Sequence, residues 1–138
     1  MNVLLVEDNP GDVRLILEAA KAARVRADFA VVGDGDSALR YLRQEGEFAE
    51  SPATELLILD LNLPVKSGFE VLAEMKQDPA LHKTIVAILT SSKHDAYVCA
   101  TYDSQICAYF TKPDDFADYI KTLHDIFCFC LALQPARK

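Results

Sequence analysis

Short apolar runs alternate with amphipathic segments along the whole chain. Five runs predict β-strands, at 2–6, 28–32, 56–60, 84–89 and 106–110. Elsewhere apolar residues recur every three or four positions, which predicts helices at about 10–23, 35–44, 68–78, 95–102 and 114–131. The runs at 56–60 and 84–89 are apolar at every position but their ends, as in central strands of a parallel sheet.

Strand and helix therefore alternate five times. This order predicts an α/β protein with a parallel five-stranded sheet, right-handed crossovers and helices on both faces. We expect a single (βα)5 flavodoxin-like, doubly wound domain over residues 1–138, with strand order 2-1-3-4-5. An apolar C-terminal helix extension is expected from about residue 126, and no output domain.

The charge of the chain excludes two classes of partner. A net charge of −7 and a pI near 4.8 argue against nucleic acid and against anionic membrane surfaces. No apolar run approaches the roughly 18 residues that cross a bilayer, so we expect a cytoplasmic protein. Its cysteines, all in apolar surroundings, are expected to be buried and reduced: Cys99, Cys107, Cys128 and Cys130. A metal site at Cys128 and Cys130 is disfavoured, because only His124 lies nearby in the sequence.

Polar side chains follow four of the five strands. Glu7 and Asp8 end the first, Asp60 the third, Thr90 the fourth and Lys112 the fifth. In a sheet of this order the first and third strands flank the switch point, so the three acids are expected to converge there. Each residue alone is more often a turn residue, a helix cap or a strand end. Their coincidence at one edge indicates a site.

Three adjacent carboxylates repel one another, and a hard divalent cation such as Mg²⁺ relieves that repulsion. A carboxylate can also be a nucleophile that forms an aspartyl phosphate. Phosphoryl transfer requires positioning and charge neutralisation, which Mg²⁺, Lys112 and Thr90 would supply around Asp60.

Two other classes of function remain as alternatives. A phosphohydrolase of the haloacid dehalogenase type also uses an aspartate nucleophile with Mg²⁺, but its second acid would stand at Asn62, which cannot donate a proton in that way. A flavodoxin-like mononucleotide binder needs a phosphate loop after the first strand, where this chain has Glu7 and Asp8.

Four motifs carry a family resemblance. From Met1 to about Leu133 the chain resembles receiver domains of two-component response regulators, through Leu-Leu-Val-Glu-Asp at 4–8, Asp-Leu-Asn-Leu-Pro at 60–64, Leu-Thr-Ser-Ser at 89–92 and Tyr-Phe-Thr-Lys-Pro at 109–113. The resemblance implies a phosphoacceptor and not an enzyme in the ordinary sense: it would assist its own phosphorylation and dephosphorylation.

The resemblance also implies roles for the acidic residues. Asp60 would accept a phosphoryl group from a sensor histidine kinase. Asp8 and Asp60 would ligate Mg²⁺ directly, Asn62 through its backbone carbonyl, and Glu7 directly or through water.

On the other side of Asp60, the resemblance implies that Lys112 pairs with the phosphoryl group and that Thr90 hydrogen-bonds it. Tyr109 would be the switching aromatic, rotating into space that Thr90 leaves and so changing an interaction surface. The bond between Lys112 and Pro113 is expected to be cis.

A narrower resemblance concerns the partner. The segments 7–15, 90–92 and 127–135 resemble single-domain regulators that serve bacterial and cyanobacterial phytochromes. The chain departs from that pattern at 105–106, where Gly-Ala is usual, and at 127–128, where Phe-Trp is usual. This resemblance implies a bacteriophytochrome-type kinase as partner, with a chemotaxis-type diffusible receiver as the alternative.

The last predicted helix has more apolar surface than one core stripe needs. One stripe consists of Phe116, Tyr119, Ile120, Leu123, Phe127 and Cys130. A second consists of Ile126, Phe129 and Leu133. We expect a homodimer through this helix and the fifth-strand face, unless the second stripe folds back on its own domain.

Overall fold

A computed structural model describes residues 1–91 and 107–133. Its centre is a parallel sheet of five strands in the order β2-β1-β3-β4-β5. The strands are β1 (Asn2–Val6), β2 (Asp28–Val32), β3 (Leu56–Leu59), β4 (Ile85–Thr90) and β5 (Cys107–Thr111). The predicted α/β class, strand order and parallel pairing are confirmed.

Helices cover both faces of this sheet. They are α1 (Pro10–Ala22), α2 (Gly35–Leu42), α3 (Gly68–Gln77) and α4 (Phe116–Leu133), with short 3₁₀ turns at Gly46–Phe48 and Pro79–Leu81. The helix predicted at 95–102 lies outside the described residues. In the described part of the chain, no helix is long and apolar enough to cross a membrane.

Three helices begin at side chains that accept backbone N–H groups. The Asn9 side chain accepts from Gly11 and Asp12, and Pro10 occupies the first helical position of α1, where its missing N–H costs nothing. Asp34 caps α2 and Ser67 caps α3.

Strand ends differ from the prediction by one residue. β3 ends at Leu59 and leaves Asp60 outside the strand, whereas β4 and β5 extend to Thr90 and Thr111. Thr90 and Thr111 are paired across the sheet, and the Lys112 N–H donates to the Thr90 carbonyl oxygen (2.7 Å). This extra backbone bond keeps the chain extended up to Lys112.

The sheet separates two apolar cores. On β3, Leu57 and Leu59 face the core under α2 and α3, and Leu56 and Ile58 face the core under α1 and α4. All four are completely buried. Alternation of side chains along a strand buried on both faces explains why the run at 56–59 has no polar position.

The stripes predicted on the last helix are only partly correct. Ile126, assigned to the second stripe, is fully buried in the core, while Phe116 of the first stripe is 41% exposed. Leu131 and Leu133 are exposed as well. Because α4 leans over α1, its buried side is rotated relative to the stripe that the spacing suggested.

The cysteines also divide between inside and outside. Cys130 is buried with its sulfur 3.7 Å from the Met1 sulfur, and burial raises the pKa of its thiol to about 11. Cys128 is exposed and contacts His124, contrary to the expectation that every cysteine is buried. Cys99 lies outside the described residues.

Candidate functional site

Three carboxylates meet at the carboxyl ends of β1 and β3. Glu7, Asp8 and Asp60 each offer an oxygen, and these oxygens lie within 4.8 Å of one another. Glu7 and Asp60 are buried, while Asp8 is exposed. The backbone places them, since the Asp60 N–H donates to the Val6 carbonyl and the Glu7 N–H donates to the Val32 carbonyl, each at 3.1 Å. The predicted convergence of the acids is confirmed.

Lys112 brings the positive charge to this edge. Its ammonium donates to Glu7, to Asp12 (2.9 Å) and to Asp60 (3.4 Å). Burial alone would lower the pKa of Lys112, but its bonds to Glu7 and Asp12 and the charge of Asp60 outweigh burial and raise that pKa. The lysine therefore stays protonated at any physiological pH.

Asp12 is a member of this cluster that sequence reasoning missed. It occupies the first turn of α1, three residues after the cap Asn9. Acids are favoured there by the helix dipole, so the sequence alone indicates no more than a helix start at Asp12. The signal that would have found it is position: the first turn of α1 begins at the same sheet edge as Glu7 and Asp8.

Glu7 shows that the cluster has an excess of negative charge. Burial raises the pKa of its carboxyl to about 7, and the charge of Asp60 adds to this, although the hydrogen bond from Lys112 acts in the opposite direction. One ammonium faces the carboxylates of Glu7, Asp12 and Asp60, with that of Asp8 beside them. Such a set of oxygen ligands suits a hard divalent cation, which would offset the remaining charge.

The other predicted site residues follow Asp60 or lie on the two strands beyond it, β4 and β5. The Asn62 N–H donates to Asp60 Oδ1 (3.3 Å). Thr90 is fully buried at the end of β4. Tyr109, on β5, is half-buried and pairs with Ile88. Thr90 is two residues beyond Ile88, so its side chain and that of Tyr109 lie on the same face of the sheet.

One expectation about this edge is wrong. The Lys112–Pro113 peptide bond is trans, and no described peptide bond is cis. Trans is the lower-energy isomer of a bond before proline, by about 0.5–1 kcal/mol. In this conformation the Lys112 side chain already contacts Glu7, Asp12 and Asp60.

The loop after Asp60 is tightly packed. A Cβ atom added to Gly68 would lie 2.5 Å from the Asp60 carbonyl oxygen and 2.7 Å from the Leu61 Cα. The Gly68 N–H also donates to the Leu61 carbonyl oxygen (3.0 Å). Only a residue without a side chain allows α3 to start this close to Asp60.

The same loop contains a strained residue. Val65 has a φ of 66° and is 84% exposed. A β-branched side chain in the left-handed region is rare, because its Cβ crowds the backbone. The next residue holds this turn, since a Cβ on Gly35 would lie 2.0 Å from the Lys66 carbonyl oxygen and the Lys66 ammonium pairs with Glu74.

Glu74 belongs to a second group of charges, the α2–α3 charge cluster, which consists of Arg43, Lys66, Glu74 and Asp78. Arg43 Nη2 lies 3.6 Å from Glu74 Oε1, and Arg43 Nε lies 3.1 Å from Asp78 Oδ2. The cluster links α2, α3 and the loop that follows Asp60.

Comparison with known proteins gives one family. The family model described as the response regulator receiver domain matches residues 3–124. Among individual proteins, the response regulator Rcp1 of Synechocystis sp. is 40% identical over 129 residues, which cover 94% of this chain and 88% of Rcp1.

Three solved structures are similar over 99% of this chain. The Mn²⁺-bound form of Rcp1 has 37% identity and a TM-score of 0.82, and the match covers 99% of both chains. The phosphorylated cyanobacterial phytochrome response regulator RcpA has 39% identity and a TM-score of 0.84, with 99% of this chain and 98% of RcpA covered. The bacteriophytochrome response regulator RtBRR has 32% identity and a TM-score of 0.82, with 99% of this chain and 81% of that chain covered.

Proposed function

Because the chain belongs to the response regulator receiver family, we propose that it is a phosphoacceptor switch that takes a phosphoryl group onto Asp60 from a sensor histidine kinase. Receiver domains of this family are typically phosphoacceptor signalling proteins. The observation that carries the proposal is the position of Asp60: it lies beside two further acids and within 3.4 Å of the Lys112 ammonium.

The proposal includes Mg²⁺ as the cofactor. Asp8, Asp60 and the backbone carbonyl of Asn62 would hold it, with Glu7 bound directly or through water. The acidic triad and the Mn²⁺-bound structure of the similar protein Rcp1 support a divalent cation here. Such a cation would neutralise charge on the transferred phosphoryl oxygens.

Each residue of the site has its own role in the phosphoryl transfer. A carboxylate oxygen of Asp60 attacks phosphorus, and the bond from phosphorus to the donor nitrogen breaks with its electron pair leaving on the donor. Lys112 would exchange its bonds to Glu7 and Asp12 for bonds to the phosphoryl oxygens, and the Thr90 hydroxyl would donate a hydrogen bond to one of them. The same groups would assist hydrolysis of the aspartyl phosphate.

Signalling would follow from the position of Thr90. As the residue moves towards the phosphoryl group, Tyr109 rotates inward on the same face of the sheet, and the surface around β5 changes. Comparing Tyr109 rotamers in free and beryllofluoride-bound crystals tests this step. An unchanged rotamer and an unchanged β5 face would contradict it.

The partner in this proposal is a phytochrome-type kinase. Support comes from the similar proteins RcpA and RtBRR, which are a phytochrome and a bacteriophytochrome response regulator. A chemotaxis-type diffusible receiver is the alternative, and phosphotransfer from a purified phytochrome kinase in preference to a chemotaxis kinase would distinguish them.

The thiols of Cys107, Cys128 and Cys130 are free, which suits the reducing cytoplasm where we place the protein.

We also propose a homodimer through α4 and the β5 face. The support is the apolar side chains of the two stripes that α4 leaves exposed, at Phe116 and Leu133. Analytical ultracentrifugation should detect a dimer at micromolar concentration. A monomer both with and without beryllofluoride would refute this part of the proposal.

Labelling with a small phosphodonor tests the central claim. Incubation with Mg²⁺ and acetyl phosphate should give one acid-stable, base-labile phosphate per chain, and Asp60→Asn should abolish it. Asp118→Asn, an exposed acid in the first turn of α4, is the matched control and should label normally.

Two outcomes would reject the proposal. Unchanged labelling of Asp60→Asn would place the phosphate elsewhere. Multiple turnover on phosphate esters would favour the phosphohydrolase, although the residue two positions after Asp60 is Asn62 and not an acid.

A further inference from the structure

A groove lies between α4 and the turn that joins α1 to β2, on the side of the sheet where the strands begin. It has a volume of about 420 Å³ and includes Met1, Val25, Phe127 and Leu131 among its lining residues. Asp60 is at the opposite end of the strands, so the groove is separate from the proposed phosphorylation site. This volume falls within the range of roughly 300–1,000 Å³ that is common for small-molecule sites.

The charged side chains that line the groove are two arginines. Arg24, Arg26 and His124 line it, and both arginines are exposed. The whole chain has 21 acidic and 14 basic residues, so a concentration of cations at one apolar groove runs against the overall charge. An apolar floor with a basic rim is complementary to an amphiphilic anion.

Three acidic residues lie near the groove. Asp28 is exposed at the start of β2, and Asp125 lies 3.9 Å from His124, so the positive charge of the groove rests on the two arginines. Glu55 accepts the Asn2 N–H at 2.7 Å. None of these acids is among the groove-lining residues.

Arg24 reaches the groove from the turn that ends α1. It has a φ of 60°, in the left-handed position where glycine is the usual residue. Its N–H donates to the Lys21 carbonyl, and the Val25 N–H donates to the Ala20 carbonyl. The turn is therefore closed by backbone hydrogen bonds.

A metal ion fits the groove poorly. His124 and Cys128 are one helical turn apart, and the Cys128 sulfur is 3.8 Å from both ring nitrogens. Among the residues that the structure describes, no third His, Cys, Asp or Glu completes a metal-binding group with this pair. The arginines beside it would also repel a cation.

We propose that this groove binds a small amphiphilic carboxylate, with its apolar body against Val25, Phe127 and Leu131. Its carboxylate would lie between Arg24 and Arg26, where a guanidinium can donate two parallel hydrogen bonds. Such a ligand would bridge the end of α1 and the second half of α4. The site requires no phosphorylation of Asp60.

Decanoate is a suitable probe, with decan-1-ol and decyltrimethylammonium as uncharged and cationic controls. Calorimetric titration and ¹H–¹⁵N chemical shifts should show saturable 1:1 binding of decanoate, with shifts at Val25 and Leu131. Both controls should bind at least about tenfold more weakly, since each lacks the charge that pairs with the arginines.

The variant pair Arg24→Gly with Arg26→Gln removes the charge without straining the fold, because glycine suits the φ of residue 24. It should weaken decanoate binding by about tenfold or more. Arg14→Gln, on the exposed side of α1, is the matched control and should leave binding unchanged.

Three results would overturn the proposal. They are no saturable binding of decanoate, equal binding by the doubly substituted protein, and equal binding of decyltrimethylammonium. Retained circular dichroism of each variant would show that lost binding does not reflect unfolding.

Discussion

Two clusters of charge flank the loop that follows Asp60, and they are built differently. In the strand-end cluster of Glu7, Asp12, Asp60 and Lys112, one cation faces three acids, and Lys112 is only 10% exposed. In the α2–α3 charge cluster, Arg43 and Lys66 face two acids and all four side chains are partly exposed. The first cluster is unbalanced in charge and, apart from Asp12, buried, whereas the second is balanced in charge and near water.

The pKa values move in opposite directions in the two clusters. Burial raises the pKa of Glu7, whereas hydrogen bonds from Lys66 and Arg43 lower the pKa values of Glu74 and Asp78. A balanced surface cluster is an ordinary contribution to packing. A buried cluster with excess negative charge costs stability, and this cost is typical of a site that binds a cation or a phosphoryl group.

Removing the lysine from each cluster should give the largest difference. Lys112→Met leaves buried acids without their cation and should lower the free energy of unfolding by about 3–5 kcal/mol in metal-free buffer. Lys66→Met breaks a partly exposed pair that water screens, and it should lower the free energy of unfolding much less. Urea unfolding of both variants measures this, and equal costs would mean that the two clusters do not differ as described.

The effect of divalent metal on stability is the second way to distinguish the two clusters. Mg²⁺ that binds only the folded protein stabilises it by about 2.7 kcal/mol when its free concentration is 100 times Kd. We expect Mg²⁺ to raise the melting temperature, EDTA to reverse the rise, and Asp8→Asn to weaken it. The variant Glu74→Gln should respond to Mg²⁺ like the parent protein, and a lost response there would show that the metal binds elsewhere.

The contact between α3 and Asp60 can be tested with one methyl group. Gly68→Ala forces the Asp60 backbone to move and should cost about 1–3 kcal/mol, as overpacking typically does. It should also slow labelling of Asp60 by acetyl phosphate.

Gly33→Ala is the control for this substitution. Its added Cβ would meet the Asp8 Cα at 4.0 Å, an ordinary contact. Normal labelling of Gly68→Ala would show that the Asp60 loop tolerates the displacement.

Most of the fold was predictable because burial on both faces leaves a clear pattern. The run at 56–59 identifies a central strand, and Glu7, Asp8, Asp60 and Lys112 are then placed at one edge by topology alone. β4 and β5 end one residue later than predicted because the backbone bond from Lys112 to Thr90 depends on a neighbouring strand.

What escaped prediction depends on contacts between distant segments. Asp12 reads as a helix-start residue until α1 is seen next to Lys112, and Gly68 reads as an ordinary first residue of a helix until its distance to Asp60 is measured. The rotation of α4 that buries Ile126 follows from packing on α1, which its own periodicity does not contain.

Val65 gives the smallest effect and tests whether the α2–α3 charge cluster holds a strained turn. Asparagine tolerates the left-handed region better than a β-branched residue, so Val65→Asn should raise the free energy of unfolding by about 0.5–1 kcal/mol. Val65→Thr removes the exposed apolar surface but keeps the branch at Cβ, and it should give no gain. If threonine stabilises as much as asparagine, solvation of an exposed side chain and not backbone strain is the cause. Combining Val65→Asn with Lys66→Met tests whether the two effects are coupled. With the backbone strain relieved by Val65→Asn, loss of the pair between Lys66 and Glu74 should lower the free energy of unfolding less than it does when residue 65 is valine.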